Sequence, residues 1–245
     1  MINSLIAANL IVLFSFFVRS FSGFGGALLC IPLLALFYDL KFIVPIECIL
    51  EIILSLILIP RIIKDVDKQN LALMLVGAIL GSLAGIYLLK TVANATLKMI
   101  LGVVVIVVAL NLLRAKVHES KPISRGWGLV AGVIGGILGG MFGTSGPPYV
   151  TYLAYQSSPR NVFRATLILI FAIESTWRLI IFCFQGMYSR ESLTLALWLA
   201  PATVIATLVG HAVQVRFNER RFHFFVCGLL IVSGLLCFIR PAIDG

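Results

Sequence analysis

Apolar residues fall in ten stretches, at about 2–18, 27–37, 43–60, 71–89, 95–113, 126–142, 147–157, 163–185, 193–210 and 222–239, separated by short polar or basic intervals. None alternates with the period of two that a membrane β-barrel strand requires, so the pattern predicts helices and excludes a barrel. Six of them (43–60, 71–89, 95–113, 163–185, 193–210 and 222–239) are long enough to cross a hydrocarbon core of about 30 Å at ~1.5 Å per residue. The stretches 27–37 and 147–157 are not, since about 11 residues reach only ~16 Å. Each follows a glycine-rich break, Ser22-Gly23-Phe24-Gly25-Gly26 in one case and Gly143-Thr144-Ser145-Gly146-Pro147-Pro148 in the other. Residues 2–37 and 126–157 are therefore expected to form hairpins that dip into the membrane, break, and return through a short half-helix.

Two such hairpins, each followed by three spans, make an all-α polytopic membrane protein of about 8–10 membrane segments. The predicted division is a first repeat at 1–113, a linker at 114–125 containing Ser120 and Pro122, and a second repeat at 126–245. A hairpin plus three spans is an odd number of crossings, so the second half enters from the opposite face and the repeats have inverted topology. Composition agrees with the membrane reading: of 245 residues, 60% are hydrophobic and only 12% charged. Mean hydropathy is +1.09, outside what a soluble domain carries.

The net charge of +9 would suggest nucleic acid in a soluble protein, but here it follows topology. One predicted face holds Arg61, Lys64, Lys68, Arg114, Lys116, Lys121, Arg125, Arg160, Arg164, Arg216, Arg220 and Arg221. The other holds Lys41, Lys90, Lys98, Arg190 and Arg240. Positive residues concentrate on cytoplasmic loops, so the first face is expected inside and both termini outside, in the bacterial plasma membrane. Residues 1–18 lack a basic leader region and a small-residue cleavage site, and are read as a retained helix. Cys30, Cys48, Cys183, Cys227 and Cys237 have no paired metal spacing and read as small buried hydrophobes. No metal, cofactor or nucleic-acid partner is expected; the expected surroundings are lipid and a small solute, and a homo-oligomer is compatible with the pattern.

The breaks carry the candidate chemistry. Backbone leaves the helix at membrane depth only where protein or a water-filled cavity satisfies it, and paired interruptions in two halves point to a transporter's binding site. Pro147 and Pro148 suit a helix's first turn, glycine lets backbone approach a ligand closely, and a helix start favours an anion. The candidate substrate residues are Ser22, Gly23, Phe24, Gly25 and Gly26 from the first break and Gly143, Thr144, Ser145, Gly146 and Pro147 from the second, with Arg19 and Arg178 adding positive charge. Ionisable residues inside spans are functional candidates. Glu174 and Arg178 share a helix face at i,i+4 and can pair. Glu51 has no basic neighbour one turn away, and Glu47 lies on its face, placed toward the outer interface. Glu51 and Glu174 are the candidates for proton coupling. Gly77, Gly81 and Gly85, four apart, read as helix-packing positions.

The first segment running through Ser22-Gly23-Phe24-Gly25-Gly26 to Pro32 resembles the TauE/SafE sulfite-exporter family of bacterial permeases. So does Gly139-Gly140-Met141-Phe142-Gly143-Thr144-Ser145-Gly146-Pro147-Pro148, with Arg164-Ala165-Thr166 following. The likeness extends over the whole chain. It implies a carrier for sulfite, a sulfonate, or a related small sulfur-containing or carboxylate anion. With the two breaks, the expectation is a secondary transporter working by alternating access, proton-coupled through the buried carboxylates. An anion channel using the same paired half-helices is the alternative. No span carries a nucleophile with a base or a His/Glu metal pair, so no catalytic residue is expected and the chain is not read as an enzyme. It has no Walker A motif.

Overall fold

The computed structural model describes residues 2–114, 123–156, 159–213 and 227–237. The linker residues 115–122 and the basic segment 214–226 lie outside the described residues, and so do the side chains of Ser22, Arg61 and Arg160. The described chain is helical throughout: α1 (Ile2–Ser22), α2 (Gly26–Leu34), α3 (Leu40–Ile62), α4 (Lys68–Thr91), α5 (Asn94–Arg114), α6 (Trp127–Phe142), α7 (Gly146–Tyr155), α8 (Arg160–Phe184) and α9 (Arg190–Val213). A last helix, α10, covers Cys227–Cys237. Five of these, α3, α4, α5, α8 and α9, contain stretches long and apolar enough to cross a membrane. They correspond to five of the six expected spans; the sixth, 222–239, is described only across α10. The bundle turns Leu56, Leu80, Leu197, Trp198 and Phe184 outward, as a surface facing lipid requires.

Both short helices form. α2 has 9 residues and α7 has 10, each starting where its glycine break ends. Gly143 closes α6 at φ 69° and Gly25 precedes α2 at φ 90°, left-handed backbone that glycine adopts without a Cβ penalty. Pro147 follows in the first turn of α7, where its missing N–H is one the helix would leave unpaired. α7 then folds back along α6: Gly139 lies against Ser145, Gly135 against Tyr149, and Gly128 against Tyr152.

The chain ends of the helices sort into two levels. Asn94 Nδ2 donates to Asp39 Oδ1 at 2.6 Å and Lys41 Nζ to the Lys90 carbonyl at 2.9 Å, tying together the start of α3, the end of α4 and the start of α5. At the opposite level Gln156 Nε2 donates to the Ile123 carbonyl, and the Tyr152 hydroxyl lies 2.6 Å from Asn70 Oδ1. The backbone N–H of Asp67 donates to Thr166 Oγ1 there. α7 thus returns to the level where α6 began, as a hairpin should.

α4 and α6 form the most extensive helix pairing, and glycine explains it. A Cβ on Gly77, Gly81 or Gly85 would overlap the carbonyl oxygens of Leu129, Val133 and Ile137 in turn; Gly132, Gly136 and Gly140 meet those of Met74, Ala78 and Ser82. The partners advance together, so α4 and α6 run parallel with backbones in contact, the close approach small residues permit in membranes.

Candidate functional site

The glycines of α6 divide by face. Gly132, Gly136 and Gly140 serve the α4 contact, while Gly135 and Gly139 face α7 and the buried polar groups behind it. A side chain on Gly139 would strike Glu174 and Ser145, and one on Gly143 would strike the Glu47 carboxylate. One on Gly26 would strike the Arg19 side chain. At these positions glycine makes room for charge.

Five charged side chains converge here, each at most 3% exposed: Arg19, Glu47, Glu51, Glu174 and Arg178. Arg19, from the last turn of α1, grips Glu51 on α3 through two contacts, Nη2 to Oε1 at 2.5 Å and Nε to Oε2 at 3.2 Å. Its Nη1 also donates to the carbonyl of Gly23, and its guanidinium lies 4.2 Å from the centre of the Phe171 ring. Arg19 thus brings charge to the centre and satisfies a carbonyl at the break.

Glu174 and Arg178 share a face of α8 but do not bond to each other. Glu174 accepts from the Ser145 hydroxyl at 2.7 Å and from the Tyr149 hydroxyl at 3.0 Å, both on the second hairpin. Arg178 donates to the Gly139 carbonyl at 2.7 Å and to Ser175 Oγ at 3.1 Å. Its ion-pair partner is Glu47, at 3.8 Å. The placement of Glu47 near the outer interface is corrected accordingly: it is 1% exposed. Neither of its oxygens has a hydrogen-bond partner among the described residues. The absence of a basic neighbour for Glu51 along its own helix is made good by α1, 32 residues away in sequence.

A small cleft lies between the two breaks. The first break contributes Phe24, Gly25 and Gly26; the second contributes Gly143, Thr144, Gly146 and Pro147. Arg19, Glu51, Phe171 and Arg178 complete the wall with Ala27 and Leu28. Gly23 is outside this lining and packs on the Arg164 side chain; Ser145 is also outside it, turned to Glu174. Ser22 closes α1, with its side chain outside the described residues.

The two helix starts are not equivalent. In α7, Pro147 and Pro148 have no N–H to offer. In α2, the first-turn amides of Gly26, Ala27 and Leu28 have no intrahelical acceptor, and all three residues border the cleft. The first break therefore offers more free helix-start amides to the cleft than the second. Thr144 also lines the cleft, and its Oγ1 is buried without a hydrogen-bond partner among the described residues.

Sequence reasoning missed Phe171, Tyr149 and the role of Glu47. Phe171, Glu174 and Arg178 recur at three- and four-residue spacing on α8, so the helical period does carry a signal for Phe171. Tyr149 sits one residue beyond the diproline with nothing local to mark its partner on α8.

Apolar helices of spanning length around a buried cluster of charge and two broken helices define a multi-pass membrane protein. The model of the sulfite exporter TauE/SafE family matches residues 8–237, and the chain belongs to that family. It is also similar to a protein of Cupriavidus necator described as "Probable sulfite/organosulfonate exporter TauE", with 26% identity over 189 residues, 76% of this chain and 73% of the relative. No solved structure matches.

Proposed function

We propose that this protein is a secondary transporter that moves a small sulfur oxyanion, sulfite or an organosulfonate, across the bacterial plasma membrane. Alternating access takes place between two inverted repeats, and the substrate sits in the cleft between their breaks. Family membership and the relative's name support the substrate class, and an exporter family implies transport in place of catalysis. The observation that carries the site is the cleft itself. Both breaks line it, Arg19 and Arg178 stand in its wall, and Thr144, also in the lining, has its buried Oγ1 without a hydrogen-bond partner among the described residues. A monoanion there gains hydrogen bonds from amides and a hydroxyl, and the field of two guanidinium groups already offset by carboxylates. Weak, distributed binding of this kind lets the substrate leave.

The test is flux into proteoliposomes of sulfite, a short sulfonate, sulfate and acetate, with counterflow exchange to separate a carrier from a channel. Saturable, exchangeable flux of sulfite or sulfonate is expected. Thr144→Val should weaken apparent affinity by about tenfold, because a hydrogen bond to a charged group is worth ~1.5–3 kcal/mol. Equal flux of all four anions without counterflow would establish a channel, and affinity unchanged in Thr144→Val would remove the hydroxyl from the site.

A further inference from the structure

Of the six buried charges among the described residues, Arg164 stands apart from the cleft, donating to the Ser20 carbonyl; the five around the cleft do not balance. Arg19 and Arg178 give two positive charges; Glu47, Glu51 and Glu174 give three negative ones. With all ionised the cluster is already one negative charge in excess, and a bound monoanion makes it two. The hydroxyls of Ser145 and Tyr149 offset the first excess charge, at Glu174; a second one, with neither donor nor cation, is costly enough that a carboxylate takes up a proton instead. The proton needs a carboxylate whose oxygens are not already committed.

Geometry separates the three. Glu51 is held by both arms of Arg19. Glu174 accepts from two hydroxyl donors, Ser145 and Tyr149. Glu47 has neither: both its oxygens are buried without a hydrogen bond, and its contact with Arg178 is a loose 3.8 Å. The titratable and charged groups around it are Arg178 and Glu174 on α8, Cys48 beside it and Glu51 one turn along α3, Arg19 on α1, Cys30 on α2 and Tyr188 beyond the end of α8. Arg178 borders the cleft, and its Nε also lacks a hydrogen-bond partner among the described residues. Glu47 does not border the cleft but presses on Gly143, the left-handed residue of the second break.

We propose that Glu47 is the proton-carrying group of the transporter and that it exchanges Arg178 with the substrate. Without substrate, ionised Glu47 faces Arg178. When an anion enters, Arg178 turns its charge to the anion and so opens Glu47 to the cleft, from whose water it takes a proton. The cluster's charge is unchanged, and proton and anion are carried together and released together on the far side. The α6–α7 turn senses the exchange through the contact between Glu47 and Gly143. This inference rests on the cleft being the anion site. It assigns proton coupling to Glu47, with Glu51 and Glu174 holding α1 and α7 in place.

The experiment measures labelled sulfite uptake into proteoliposomes, driven either by a pH gradient with the outside acid or by sulfite–sulfite exchange, which moves no net proton. Wild type should be stimulated by the gradient. In Glu47→Gln the ratio of gradient-driven uptake to exchange should fall by about tenfold, within the ~5–150-fold span of typical coupling free energies. Gly126→Ala, which lies away from the cleft and meets nothing closer than Ser124 Oγ, should keep its dependence on the gradient. A Glu47→Gln protein that exchanges sulfite and still responds to the gradient overturns the assignment. Wild type that transports no anion overturns the parent reading and this one with it. If Glu47→Gln does not assemble, a pH-indicator dye on wild type decides the matter: about one proton taken up per sulfite bound supports coupling, and none overturns it.

Discussion

Arg19 does two jobs at once. It holds Glu51 from across the bundle and it closes the end of α1 by donating to Gly23. A buried ion pair is poor evidence of net stabilisation, since desolving two charges offsets most of their attraction. Breaking one is a different matter, because the survivor is left uncompensated. Arg19→Gln should therefore lower stability by about 3–5 kcal/mol, while Arg19→Gln combined with Glu51→Gln should recover a large part of that. Thermal unfolding of purified protein in detergent, read as a double-mutant cycle, checks this. Additive losses would mean the two side chains act separately, against the two contacts between them. Glu174 illustrates the same physics with neutral donors: its charge stays buried because two hydroxyls from the second hairpin face it.

At the scale of elements, glycine spacing does more than break helices. On α6 one set of glycines seats α4 and the other leaves space for Tyr149, Ser145 and Glu174. Gly136→Ala places a methyl on the Ala78 carbonyl and should destabilise the protein by about 1–3 kcal/mol, the usual cost of overpacking. At Gly126 an added Cβ meets nothing closer than Ser124 Oγ at 3.8 Å, so Gly126→Ala should leave the unfolding midpoint near wild type. A comparison of the two midpoints separates packing from a general effect of losing glycine. Much of this level was legible in the sequence. The breaks at Gly23–Gly25 and Gly143, the two short helices and the packing role of Gly77, Gly81 and Gly85 follow from local chemistry: left-handed glycine, proline in a first turn, small residues one turn apart. The partners of the charges were not legible. Arg178 meets a residue on α3 and Arg19 meets another on the same helix, and which residues meet depends on how helices are rotated against each other, which hydropathy leaves open. The i,i+4 rule led to Glu174 as the partner of Arg178 because it sees one helix at a time. The wider hydroxyl network of Ser145 and Tyr149 drew Glu174 away.

For the molecule as a whole, the helix pairings bear on the inverted repeat. If α1–α5 and α6–α10 are equivalent, the packing of α4 on α6 should have a counterpart in α9 on α1, and these are the two most extensive pairings. The contact of α3 with α9 likewise answers that of α8 with α4, and α3 with α8 is its own counterpart. Each hairpin is thus seated mainly on a long helix of the other half. Sidedness then follows from charge. Lys68 and Arg125 belong to the level where α4 and α6 begin, and Lys41 and Lys90 to the level where α3 begins and α4 ends. We propose that the first level, the richer in Lys and Arg over the whole sequence, faces the cytoplasm. In a cysteine-free background, single cysteines at Asp65 and Ser124 should react with an impermeant maleimide only after cells are opened. Cysteines at Val92 and Met187 should react in intact cells. Labelling of Asp65→Cys from outside would invert the whole molecule, and with it the side from which an anion first meets Arg178; labelling of Asp65→Cys and Ser124→Cys from opposite sides would break the parallel pairing of α4 and α6 on which the inverted arrangement rests.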